Sequence, residues 1–144
     1  MPTLLDICAR ELMDTAPQIV QSIRIEMRRS RGGDLSIPQF RTLRFIQKNP
    51  DTSLSGLAEN LGLTLPSVSK LVDGLVKQEL VIRQESMVDR RRLTLILTVV
   101  GESIVNSARS AAQADLANKL GSLCEEDLET VRSAMVMLHK IFAA

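Results

Sequence analysis

A mainly α-helical fold with one small β-ribbon, an α+β arrangement dominated by helices, is predicted for this chain, and three observations predict it. Apolar residues recur at helical spacing at both ends of the sequence. Between them, two short helical patterns follow one another across a single glycine, Gly62. Directly after these comes DRRRLTLILT (89–98), in which Leu93, Leu95 and Leu97 alternate with Thr94, Ile96 and Thr98. That alternation reads as a strand with one face buried and the other partly so.

The elements can be justified in order. Leu4, Leu5, Cys8 and Leu12, then Ile19, Val20, Ile23 and Met27, place a helix over about residues 3–30. Pro17 lacks a backbone donor and is expected to kink or split it near Thr15. SRGGDLS (30–36) is a loop. Ser36 followed by Gln39 is a capping-box pattern with Pro38 in the first turn, and the helix it opens carries Phe40, Leu43, Phe45 and Ile46 before stopping at NPDTS. Ser55 is expected to cap the next helix, LAENL, which ends at Gly62. Thr64 caps another, with Pro66 in its first turn and Val68, Leu71, Val72 and Leu75 inward. Two helices joined by so short a Gly-containing turn form a helix-turn-helix unit. Val81–Glu85 and Arg92–Thr98 are strands of a hairpin whose turn is SMVDRR. From Gly101, a helix places Ile104, Val105, Ala108, Ala111, Ala112, Leu116 and Leu120 on one stripe. After Gly121, a last helix carries Leu128, Val131, Met135, Leu138 and Phe142. A helix-turn-helix followed by a two-stranded ribbon is a winged helix. The chain thus divides into an N-terminal helix (1–35), a winged helix-turn-helix (36–98, wing about 81–98) and C-terminal helices (99–144), within one structural domain.

Composition narrows the function. At 144 residues the chain is long enough for one domain to bury about two-thirds of its unfolded surface. No apolar run reaches the ~20 residues of a membrane span and the N-terminus has no leader pattern, so a cytoplasmic protein is expected, with no membrane partner. With no Trp, no Tyr and three Phe, the chain is poorly equipped to stack unpaired bases. The net charge of +1 hides a gradient: residues 37–98 carry nine Lys and Arg against six Asp and Glu, while 99–144 carry four against six. Basic charge in the winged-helix segment suits a polyanionic partner. A helix fits the major groove of double-stranded DNA with its first residues at the base edges. The ribbon tip then reaches an adjacent minor groove, where Arg90 is the expected probe, Arg91 and Arg92 its flank, and Asp89 the residue that stiffens the turn.

SIPQFRTLRFI (36–46), LSGLAENLGLTLPSVSKLVDGLVKQELVIR (54–83), the Asp89-Arg90-Arg91 triplet and LTVVGE (97–102) together resemble the MarR family of bacterial transcriptional regulators. LCEEDLETV (123–131) resembles the opening of that family's last helix, so the resemblance covers nearly the whole chain. It implies a homodimer, joined by its first and last helices, that straddles a pseudo-palindromic operator. It further implies recognition-helix contacts from Thr64, Pro66, Ser67, Ser69, Lys70 and Asp73, wing contacts from Arg90 and Arg91, and phosphate near Ser53 and Ser55. Leu65, Gly74 and Glu79 depart from it, standing where a polar or basic residue, Arg and Gly are frequent. The family scheme implies repression relieved by a small aromatic or phenolic ligand, for which Met13, Pro17, Arg24, Phe40, Leu43 and Arg44 are candidate lining residues.

Two alternatives stand beside this reading. Cys124 at a helix start and Cys8, expected to pack on the first helix's apolar stripe, leave room for a redox-sensing regulator, with structural thiols as the default. A winged-helix dimer acting through protein contacts without DNA is the other. An enzyme is not expected. His139 is the one histidine, on an amphipathic helix, and no Ser/His/Asp set, phosphate-cradling loop or metal-ligand spacing occurs, so neither cofactor nor metal is expected.

Overall fold

The computed structural model describes residues 1–30, 35–86, 88–89 and 92–143. In chain order they form α1 (Leu4–Ser30), α2 (Ile37–Lys48), α3 (Leu54–Leu61), α4 (Leu65–Lys77), β1 (Val81–Glu85), β2 (Leu93–Leu97), α5 (Val99–Leu120) and α6 (Glu125–Phe142). Among the described residues no helix is long and apolar enough to cross a membrane.

Local chemistry sets the helix ends. At α2 the capping box forms as expected: the Ser36 Oγ accepts from the Gln39 N–H at 3.2 Å and the Gln39 Oε1 accepts from the Ser36 N–H at 2.9 Å. Helix α3 is capped by Ser53, not Ser55: the Ser53 Oγ accepts from the Gly56 N–H at 3.1 Å, and Ser55 sits exposed in the first turn. Both serines are possible caps by type, but Leu54 already has helical backbone, which leaves Ser53 as the last extended residue. Gly62 ends α3 in the left-handed region at φ 67°, as its lack of a Cβ permits. Thr98, expected as the last strand residue, is instead the cap of α5, which therefore starts at Val99 and not Gly101. Its hydroxyl accepts from the Gly101 N–H at 3.0 Å and donates to the Glu79 carbonyl at 2.7 Å, tying the start of α5 to the end of α4.

Pro17 does not split α1, which runs unbroken for 27 residues. A proline removes only one backbone bond, and here it lies on an exposed face where water can reach the freed carbonyl. β1 and β2 pair antiparallel in the register Val81↔Leu97 to Glu85↔Leu93. The alternation expected along β2 is broken: Leu93 is 55% exposed whereas Thr94 and Leu95 are both buried. The cause is a third backbone segment on the ribbon's edge, since the Leu95 N–H donates to the Thr52 carbonyl at 2.9 Å and the α2–α3 turn covers that stretch.

The core lies where α2, α3, α4, the ribbon and the start of α5 meet, and contains Leu43, Ile46, Leu57, Val68, Val72, Leu75, Leu80, Val81, Leu95 and Val105. Each such side chain contributes about 1.5–3 kcal/mol by leaving water. The two terminal helices differ. α1 packs along α5 on one side, yet neither α1 nor α6 contains a buried residue. Leu5 is 82% exposed and Phe142 73%. Cys8, expected to pack, is exposed together with Leu4 and Leu5, whereas Leu12, Ile23 and Met27 of the same stripe are partly buried.

Candidate nucleic-acid interface

The outward surface of the helix-turn-helix is built on α4. The Thr64 Oγ1 accepts from the Ser67 N–H at 3.3 Å and donates to the Ser67 Oγ at 2.9 Å, so two of the predicted contact residues brace the helix start between them. Val68, Val72 and Leu75 face the core and leave Pro66, Lys70 and Asp73 outward, with Ser69 at the border and Leu65 exposed at the helix start. Ser69 is partly buried, and the other four are exposed. Asp73, expected at the DNA surface, forms an ion pair with Arg83 on β1. The pair is exposed enough that its net contribution is at most about 1 kcal/mol. Its geometric effect is to hold the wing against the helix.

Two further ties fix the wing. The Gln84 Nε2 donates to the Asp51 Oδ1 at 3.1 Å, reaching the α2–α3 turn. The Arg92 Nη2 donates to the Ser53 Oγ at 2.7 Å, so that hydroxyl serves both the α3 cap and the wing. Arg92 thus belongs to the platform beneath the tip. At the tip, the Asp89 carbonyl accepts from the Arg92 N–H at 3.0 Å and the Asp89 N–H donates to the Ser86 Oγ at 3.3 Å. Arg90 and Arg91, the expected wing contacts, lie outside the described residues. Sequence reasoning did not find Asp51, Arg83 or Gln84. Each is an ordinary surface residue by type, and only the fold brings it opposite its partner.

The candidate effector residues divide. A cleft of about 320 Å³ between α1 and α2 is lined by Val20, Ile23, Arg24, Met27, Ile37, Phe40 and Arg41. An adjoining cleft of about 540 Å³ is bordered by Phe40, Arg41, Arg44 and Lys48 of α2 and by His139 of α6. Arg24, Phe40 and Arg44 therefore border clefts. Leu43 is fully buried beneath them, and Met13 and Pro17 lie exposed farther along α1 and border neither. α2 is anchored to α5 by polar contacts: the Arg44 Nη1 donates to the Gln47 Oε1 at 2.6 Å, and the Gln47 Nε2 to the Asn106 Oδ1 at 2.8 Å. Burial, and then the nearby Arg109 guanidinium, hold Arg44 below the ordinary arginine pKa. Both thiols are free and exposed, Cys124 at the α6 start without a side-chain cap bond.

Comparison with known proteins agrees with this architecture. Residues 33–92 match a protein-family model described as MarR family. YfiV of Bacillus subtilis, an uncharacterized HTH-type transcriptional regulator, is 27% identical over 107 residues, which cover 74% of this chain and 67% of YfiV. A MarR family protein from Bacillus stearothermophilus superposes with a TM-score of 0.82 at 22% identity, covering 95% of this chain and 96% of that one. FabT of Streptococcus pneumoniae, solved in complex with DNA, superposes at 0.72 with 24% identity, covering 92% and 96%. The family match takes in α2, α3, α4 and β1 and stops before β2, while the whole-chain fold is shared with MarR family structures, so the helix-turn-helix segment is similar to that of MarR family transcriptional regulators.

Proposed function

We propose that the chain is a homodimeric, sequence-specific regulator that binds double-stranded DNA at a pseudo-palindromic operator and represses until a small aromatic or phenolic ligand lowers its affinity. The observation carrying the DNA reading is the outward face of α4. The outer face of its first turns stands exposed beside a wing that is fastened to α4 through Asp73–Arg83 and to the α3 cap through Arg92–Ser53. A recognition helix held this rigidly loses little entropy on entering a groove. The solved FabT complex with DNA supports the same use of the shared fold.

The uncovered apolar residues of α1 and α6 support dimerisation through the ends of the chain. In such a dimer the two α4 helices address half-sites about 34 Å apart, one turn of duplex. The 320 Å³ cleft, walled by Val20, Ile23 and Phe40 with Arg24 and Arg41 at its edge, has a size and chemistry suited to a small aromatic effector. Located between α1 and α2, it joins the proposed dimer helices to the DNA-binding unit.

Selection of bound duplexes from a random pool tests the reading, followed by titration of Lys70→Ala and of the Arg90→Ala, Arg91→Ala double variant over a range of salt. Loss of affinity is expected in both. The salt slope should fall by roughly 0.9 for each phosphate contact removed. Failure to enrich any sequence, or a slope untouched by both variants while they remain folded, would refute the assignment.

A further inference from the structure

Leu65 opens α4 and is 49% exposed, although it is a large apolar side chain. It takes no part in the hydrophobic core and is not among the residues packed against it. Pro66 beside it is exposed as well. Of the polar residues on this part of the helix, the Ser67 hydroxyl is engaged by Thr64 and Asp73 is held by Arg83. The Ser69 and Lys70 side chains have no hydrogen bond or ion pair among the described residues. The first turn of α4 therefore meets its surroundings mainly through hydrocarbon, and positive charge begins a turn later.

Only thymine among the four bases offers a methyl group in the major groove. The other edges present donors or acceptors that an apolar side chain leaves unsatisfied. We propose that Leu65 is a specificity-determining residue that reads a thymine C5-methyl in each half-site. This rests on the reading of α4 as a DNA recognition helix. A protein partner is the less suitable occupant. Leu65 and Pro66, with Leu63 across the cap, form a patch far smaller than the ~800 Å² per partner of a stable interface. The patch also lies at a helix N-terminus, whose partial positive charge favours phosphate nearby.

The test uses the full chain and the duplex it selects from a random pool. Each thymine is replaced in turn by deoxyuridine, which keeps the base pair and removes only the methyl group. Wild type should lose about fourfold in affinity at one position per half-site, the equivalent of one methyl group returned to water. Leu65→Ser should bind the thymine and deoxyuridine duplexes alike, and Leu65→Met, which keeps the apolar reach, should retain the preference. Equal wild-type affinity for both bases at every position overturns the inference while leaving DNA binding intact, and so does a full preference surviving in Leu65→Ser. If wild type binds no duplex, the DNA-binding reading itself fails and the inference falls with it.

Discussion

Replacing Gly101 with alanine tests the packing that joins the wing to the rest of the molecule, and the sign of the result is informative. Gly101 is buried in the first turn of α5, where helix propensity alone would make alanine stabilising by up to about 1 kcal/mol. The structure predicts the opposite. A Cβ at this position would lie 2.3 Å from the Leu80 carbonyl oxygen and 3.1 Å from its carbon, whereas ordinary contact begins at 3.4 Å. Relief requires α5 and the β1 entrance to separate by about 1 Å. That displacement would break the bond from the Thr98 N–H to the same Leu80 oxygen, now 3.0 Å, and strain the Thr98 bridge to Glu79. Leaving a buried carbonyl unpaired costs about 1–3 kcal/mol, and overpacking adds a similar amount. After the propensity gain, the net loss is about 1–5 kcal/mol. Urea titration followed by circular dichroism, at one fixed protein concentration, measures it. A stability equal to or above wild type would refute the geometry at this junction.

Three other changes have defined outcomes. Glu79 follows α4 at φ 60°, with its N–H bonded to the Val76 carbonyl and the Leu80 N–H to the Leu75 carbonyl, so Glu79→Gly should raise stability by about 1 kcal/mol in the same titration. Ser53→Ala removes both the α3 cap bond and the acceptor for Arg92, and a loss of about 1–2 kcal/mol is expected from the unfolding midpoint. Arg92→Ala should weaken DNA binding with an unchanged salt slope, because Arg92 acts through Ser53. A slope shallower by roughly 0.9 per half-site would instead mark it as a phosphate contact.

Much of this architecture was legible in the sequence because its signals are local. The capping box at Ser36 and Gln39, the left-handed Gly62, the Thr64 cap and the Val81–Glu85 strand depend on residues within a few positions of one another. Misreadings arose where a distant segment decides. Ser53 and Ser55 are equivalent caps by type until the backbone of Leu54 is known. Thr98 reads as strand until Glu79 is found beneath its hydroxyl. Asp73 and Arg92 carry the chemistry of DNA contacts, and only the fold shows that they also pair with Arg83 and Ser53, ten and 39 residues away. The effector candidates show the same limit. Met13 and Leu43 share apolar character with Phe40, but whether such a residue is exposed, buried or beside a cleft depends on how α1 crosses α2.

The central claim is that two copies of the chain hold their α4 helices on successive turns of one duplex. Sedimentation of the full-length chain at low salt with a labelled duplex carrying the selected site tests it most directly. Two chains per duplex are predicted, with occupancy abolished when half-turn insertions separate the half-sites. One chain per duplex, or indifference to that insertion, would contradict the account.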